Sequence, residues 1–411
     1  MSNQHLEKYN SQPEDAAGLI LAAQSSIDSG MHDAAMLFIE EGLRNVSDPA
    51  QGIKLLEQAS ISGFYSKLPR RQEMGRMACE RIATDMSVPW GTRNTARQNS
   101  TYYSRSAADL MPSTRLCQVG FIPPYGYSPM NPSISADSTG LCMIQRTVNY
   151  VIRHDGSYDM KGDVAIRTIN HFIRLRDDLS VDSSSEILMP TNMPEPAYEL
   201  VQGFEDSRLF FINDEPWCTS TVRELSPDGM CEIVVARLVR DGDNMRLADH
   251  RVIIPDWCER QHQKNWMPMV SGDDLFFVYS TDPTRIVDQN GSLISLKPAP
   301  MAMDSFRGGS PLMLFGDSWL GIIHESHVMP DNRRRYMHRF VCYDFSGSVS
   351  AISDPFYFKE IGIEFAAGMA SNPTTGDIVI SFGFKDRESW LASINPDDIK
   401  KVLRSCGSPL S

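Results

Sequence analysis

At 411 residues and 46.1 kDa the chain has room for two domains, or for one large β domain with an appendage. Apolar residues make up 41% and charged residues 22%, the balance of an ordinary soluble globular protein. A formal net charge of −13, with a pI near 5.2, argues against a general nucleic-acid or anionic-membrane binder.

The polar start, Met1 to Lys8, carries no apolar signal core, and no stretch approaches membrane-spanning length. Cysteines 79, 117, 142, 218, 231, 258, 342 and 406 are scattered without a Cys-x-x-Cys. That spacing suits neither a zinc site nor a dense disulfide framework, and free thiols in a cytoplasmic protein are the simpler account.

The first hundred or so residues have helical periodicity. Ala16, Leu19, Ile20 and Ala23 share one face, and Ser29-Gly30 ends that run. Ala34, Ala35, Leu37, Phe38 and Leu43 form a second stripe, closed by Asp48-Pro49. Ile53, Leu55, Leu56 and Ala59 continue the pattern, followed by Met74, Met77, Ala78 and Ile82. Residues 1–110 therefore read as stacked α-hairpins, tetratricopeptide-like without a clean consensus. They form either a packing platform or a docking face for a protein partner.

After Pro112 short apolar or alternating runs take over: 232–239, 275–280, 319–326, 339–345 and 377–382. Turns at Asp228-Gly229, Asp241-Gly242, Asn290-Gly291 and Gly376-Asp377 separate them. This predicts a mainly β architecture over 111–400, a propeller or a sandwich pair, before a C-terminal tail, 401–411. Polar-plus-glycine islands near Asn131, Gly203, Asn265, Gly308 and Gly368 recur at about the length of one propeller blade, which favours five blades.

Each island offers chemistry beside a plain structural reading. The first is Asn131-Pro132-Ser133, followed by Arg146 and Asn149. Residues three apart on a strand face opposite ways, so these two flank one pocket only with a bulge. The second, Gly203-Phe204-Glu205-Asp206-Ser207-Arg208, holds two carboxylates and an arginine at the mouth of an apolar strand. Burying a carboxylate there requires pairing with Arg208 or another donor.

In the third, Lys264-Asn265-Trp266 combines a cation, an amide and a flat ring, the parts from which sugar sites are made. The ordinary alternative is a core Trp266 beside a solvated Lys264. The fourth is Arg307-Gly308-Gly309-Ser310-Pro311, leading to His324-Glu325-Ser326-His327 and then Tyr336-Met337-His338-Arg339. His324 and His327 fall on opposite strand faces, so they do not share a metal. The fifth runs from Glu364 through Gly368 to Gly383-Phe384-Lys385-Asp386. Arg333-Arg334-Arg335 reads as a solvated loop.

In order, these islands resemble the five-bladed β-propeller carbohydrate enzymes of the β-mannoside phosphorylase type and the related propeller-fold mannosyltransferases. The resemblance covers roughly residues 115–395 and leaves the helical front unexplained. It implies an inverting reaction with Asp206 as the proton donor, Glu205 beside it as a second catalytic candidate, and Ser207 where that family usually has proline. The implied substrate-binding residues are Asn131, Arg146, Arg208, Lys264, Asn265, Trp266, Arg307, His324, Tyr336, His338 and Asp386. Candidates for a second carboxylate are Asp386, Glu364 and Glu325.

The family's phosphate-binding arginine cluster is not placed by the sequence, which puts a glycosyltransferase first, with mannose as the candidate sugar. The expected partners are a sugar donor and a carbohydrate acceptor, with no cofactor, no metal, no nucleic acid and no membrane span. The alternatives are a β-mannoside phosphorylase or hydrolase, and an inactive propeller scaffold.

Overall fold

The computed structural model describes residues 16–153 and 157–406. The polar start of the chain and the last residues of the expected tail lie outside them. Two compact units result: 16–104 with 327–331, and 105–326 with 332–406.

The first unit is helical, with helices Ala16–Asp28, His32–Asn45, Pro49–Tyr65, Pro69–Thr84 and Trp90–Ser100. Much of the sequence stripes meets in a core of Ile20, Ala23, Ala35, Met36, Ile39, Leu55, Ala59 and Ala78, while Ile82 joins a second cluster with Ala83, Val88 and Ala96, and Leu37 and Met77 face outward. Asp48 caps the third helix by accepting from Ala50 N, with Pro49 at the first helical position. No helix among the described residues is long and apolar enough to cross a membrane.

The second unit is mainly β and built from antiparallel meanders. Ser128–Asp137, Gly140–Val148, Ile166–Leu175 and Val181–Leu188 pair in sequence order. Glu205–Ile212, Glu215–Val222, Glu232–Asp241 and Asn244–Ile253 form the next meander. Then come Met267–Ser271, Asp274–Thr281, Thr284–Asp288 and Leu293–Lys297. Ser318–Val328, Arg334–Tyr343 and Val349–Ser353 follow, edged by Arg307–Gly308 and Met313–Phe315.

The last meander, Glu364–Ser371, Ile378–Phe384 and Glu388–Ile394, takes its fourth strand from the front of the unit, Arg115–Gln118. That pairing ties the unit's two ends together and covers a sheet edge. Beyond it, the stretch expected as a tail starts in the end of the helix Pro396–Val402 and continues as the strand Leu403–Ser405, which adds to Val349–Ser353.

A closed circuit of contacts joins the first strands of these meanders. Asn131 Nδ2 donates to Asp206 Oδ1 at 2.8 Å, and Arg208 Nη2 to Asn265 Oδ1 at 3.2 Å. Gly308 lies against the carbonyl of Asn265, and Gly309 against that of Ala366. Ser133 Oγ completes the circuit by donating to Ala367 O at 2.9 Å. At Gly308 a Cβ would fall onto the backbone oxygen of Asn265. Gly308→Ala is therefore expected to cost about 1–3 kcal/mol, read as a lower urea midpoint; an unchanged midpoint would mean the contact has slack.

Candidate functional site

Asp206 is presented by backbone geometry that its own strand does not require. The ladder between Glu205–Ile212 and Glu215–Val222 shifts register between Glu205 and Arg208, and Asp206 takes a left-handed φ of 45° there. Asn131 (φ 45°) and Asn265 (φ 63°) adopt the same conformation at the starts of their meanders. Asn and Asp tolerate this region better than most residues, and a bulge re-aims the side chain it carries. The three Asx residues thus turn together onto one point.

There the carboxyl of Asp206 accepts from Arg146 Nη1 at 2.6 Å as well as from Asn131. Its side chain is 23% exposed, against 6% for Arg146. Burial works to raise its pKa. The charges of Arg146 and Arg208, the Asn131 bond and the charge of Lys264 outweigh burial and hold it at about 2. Glu205 lies behind, its Oε2 3.9 Å from Arg146 Nη2.

Arg208 is not the partner of that carboxylate. Its buried guanidinium donates through Nη1 to the carbonyl of Asp206 (2.6 Å), through Nε to Gly309 O (2.9 Å) and through Nη2 to Asn265. Its face lies over Phe365, 5.4 Å from the ring centroid. The residue is an internal pin, with burial drawing its pKa down to about 10.

Of the candidates for a second carboxylate, Asp386 feels the charge of Asp206. Burial and then the Asp206 charge raise its pKa, opposed by Arg146, Arg334 and Arg387. It stands at the hairpin tip between Ile378–Phe384 and Glu388–Ile394 with φ 51°. Glu364 is occupied in accepting the backbone N–H groups of Phe358, Lys359 and Glu360. Glu325 accepts from Ser305 Oγ at 3.1 Å.

His324 is buried edge-on to Phe365 (centroids 5.0 Å) and stacks on Tyr336 (5.7 Å). Its pKa lies well below the usual value, from burial first and then His338, Arg208 and Arg307. Arg307 and Lys264 are exposed at the rim.

Two expected binding groups are core residues. Trp266 packs edge-to-face on Phe277 and Tyr279, its indole N–H donating to Gln263 Oε1 at 3.3 Å. Only 2% of it is exposed, so its ring is no platform, although it lines a narrow recess with Asp206, Arg208 and Thr219. His338 is fully enclosed by Phe356 and Phe358 and accepts from Ala366 N at 3.4 Å. Asn149 likewise closes a backbone turn, bonding Ala165 O and Arg167 N.

Sequence reasoning missed three contributors. Tyr150 is buried, and burial lifts its phenol to about 12, lowered by Arg146 and raised again by Asp386 and Glu205. The charges of Arg387, next to Asp386 in the same hairpin tip, and of Arg334, at the start of Arg334–Tyr343, both act on Asp386. The Arg333–Arg335 run was the available signal, but nothing local ties it to Asp386.

No protein-family model matches the chain, and no curated protein matches it. Among solved structures it is similar to MPT-4, a mannose phosphorylase from Leishmania mexicana in complex with phosphate ion. Identity is 13%, coverage 77% of this chain and 98% of that one, and TM-score 0.46. It is also similar to MPT-1, a GDP-Man-dependent mannosyltransferase from Leishmania mexicana, at 11% identity over 68% of this chain and 89% of that one, with TM-score 0.43. RS223-Beta-xylosidase follows at 10% identity, 69% and 96% coverage and TM-score 0.44.

Proposed function

We propose that the β unit is a five-bladed propeller, one meander to a blade, and that it is a carbohydrate-active enzyme. In this reading it is an inverting, cytoplasmic glycosyltransferase that moves a sugar from a phosphate-activated donor to a glycan acceptor. The helices up to about residue 110 are read as a tetratricopeptide-like module.

The observation that carries the reading is the placement of Asp206, its carboxylate held by Arg146 and Asn131 at a recess that it lines with Arg208 and Trp266. A carboxyl held at about 2 is ionised at neutral pH. It can accept a proton, which suits the activation of an acceptor hydroxyl, and is poorly placed to donate one to a leaving glycoside oxygen. As the acceptor O–H bond breaks, its proton passes to Asp206 and its oxygen bonds to the anomeric carbon. The bond from that carbon to the donor phosphate then breaks with its electron pair on the phosphate.

The mouth supplies charge for that leaving group. Arg146, Lys264, Arg307, Arg334 and Arg387 act on Asp206, His324 or Asp386, in a chain whose net charge is −13. Such a local excess of cations over Glu205, Asp206 and Asp386 supports an anionic donor.

The same cations favour phosphorolysis of a β-mannoside as a second reading, since they suit inorganic phosphate equally well. Incubation with nucleotide sugars and, separately, with β-mannosides plus phosphate discriminates the two. Strict dependence on a nucleotide sugar is expected. Release of a sugar phosphate from the glycoside would favour the second reading, and turnover of neither would remove both.

A further inference from the structure

One aromatic surface next to the mouth has no part in the chemistry above. Tyr150–Ile152 and Tyr158–Met160 form a two-stranded sheet of their own, inserted between two strands of the first meander. An isolated hairpin of this size is marginal in water, and this one is tied down at several points. Arg387 Nη2 donates to Ile152 O at 2.9 Å, which fastens the hairpin to the tip that carries Asp386. Lys161 N donates to Asn149 O at 2.7 Å, and Lys161 Nζ donates to Gly126 O.

The rings lead outward from the carboxylates. Tyr150 is the inner one, buried with its phenol donating to Met130 Sδ at 3.9 Å, on the strand that Arg387, next to Asp386, fastens. Tyr158 stands edge-to-face on it at 4.9 Å and is 52% exposed. On the segment held by Lys161, Tyr125 is 73% exposed and sits edge-to-face to Tyr127 at 6.0 Å. Tyr125 also has a left-handed φ of 59°. A bulky residue in that region costs on the order of 1–3 kcal/mol and marks a position held for a purpose other than stability.

We propose that Tyr158, on the small sheet fastened by Arg387, and Tyr125, on the separate segment held by Lys161, form an acceptor subsite that holds an oligosaccharide chain beyond the sugar at the mouth. The assignment rests on the glycan-transfer reading of the Asp206 site. Its occupant follows from continuity and chemistry. The ledge starts at Tyr150 and Asp386, where the acceptor hydroxyl would lie. Its rings alternate with polar groups such as the exposed Arg153–Asp159 pair (3.1 Å). A pyranose has apolar C–H faces and a hydroxylated edge, which match rings flanked by hydrogen-bonding groups; an apolar protein face does not.

The test compares a monosaccharide acceptor with its tetrasaccharide in wild type, Tyr158→Ala, Tyr125→Ala and Tyr158→Trp. Tetrasaccharide binding without donor is followed by NMR titration of the same proteins. The expected result is a roughly 3- to 10-fold fall per alanine in the ratio of kcat/KM for tetrasaccharide over monosaccharide, recovered by Tyr158→Trp.

Wild-type turnover with a ratio that neither alanine variant moves overturns the subsite and leaves the transferase standing. Tetrasaccharide binding that the alanine variants weaken, without turnover by any protein, supports the subsite and removes the transferase. No turnover and no binding in wild type overturns both. Exposed rings are chosen so that thermal unfolding midpoints stay close to wild type.

Discussion

Asp206→Asn is expected to lower kcat by about 10²- to 10⁴-fold, the usual contribution of a positioned proton-transfer group. Asparagine keeps the shape and can still meet Asn131 and Arg146, so the change removes basicity more than architecture. The fold should nonetheless weaken. Arg146, 6% exposed, would lose its 2.6 Å ion pair and keep the more distant Glu205 at 3.9 Å, and unpairing a buried charge is costly. Urea unfolding alongside the kinetics separates the two effects.

Arg146→Gln then probes the tuning itself. In the parent protein Asp206 is ionised down to about pH 2, so it imposes no acid limb on kcat/KM in the usual assay range. Without the Arg146 charge its pKa should climb, and an acid limb should appear at higher pH than in wild type. Full activity in Asp206→Asn, or an unmoved acid limb in Arg146→Gln, would remove Asp206 from the reaction.

The second large effect is acid destabilisation by buried neutral histidines. Burial lowers His171 to about 4 and His338 to about 3, and takes His324 well below its ordinary value. Below pH 6.5 the unfolded chain binds protons that these rings refuse in the folded state, so stability falls as pH falls. At pH 4.5 the pKa differences for His171 and His338 amount to about 2–3 kcal/mol each. That is a large share of a typical unfolding free energy of about 5–15 kcal/mol.

The carboxylates do not cancel this loss. Asp206, whose pKa falls from 3.8 to about 2 on folding, loses its stabilising contribution progressively from about pH 5 down to about pH 1, mostly below about pH 4.5. Asp386 and Glu364, with raised values, become less unfavourable on acidification and soften the slope. Urea midpoints measured from pH 7.5 to 4.5 should drop steeply below 6.5, and His338→Gln should flatten the curve. Equal midpoints at the two ends would show that the rings are solvated on a timescale the static packing does not convey.

Much of the framework was legible in the chain because it is written in near neighbours. Helical stripes such as Leu19, Ile20 and Ala23 became a core, and Asp48-Pro49 became a cap, since period and capping depend on residues within a turn or two. The run read as 232–239 is the strand Glu232–Asp241, closed at the Asp241-Gly242 turn. The run read as 339–345 instead begins at Arg334, because its backbone pairs with the long strand Ser318–Val328, a partner that local composition does not reveal.

The positions of interest at Asn131, Asp206, Asn265, Gly308 and Asp386 could be named from turn chemistry, since bulges and tight approaches demand Asx or glycine. What each side chain does there was decided elsewhere. Arg208, two residues from Asp206, turned away to pin Gly309 and Asn265, while Arg146, sixty residues back, took its carboxylate. Trp266 went inward onto Phe277 and Tyr279, leaving exposed rings to Tyr158 and Tyr125. A left-handed φ or a one-residue bulge reverses the direction of a side chain, and contacts between distant strands, not adjacent residues, hold the backbone in that state.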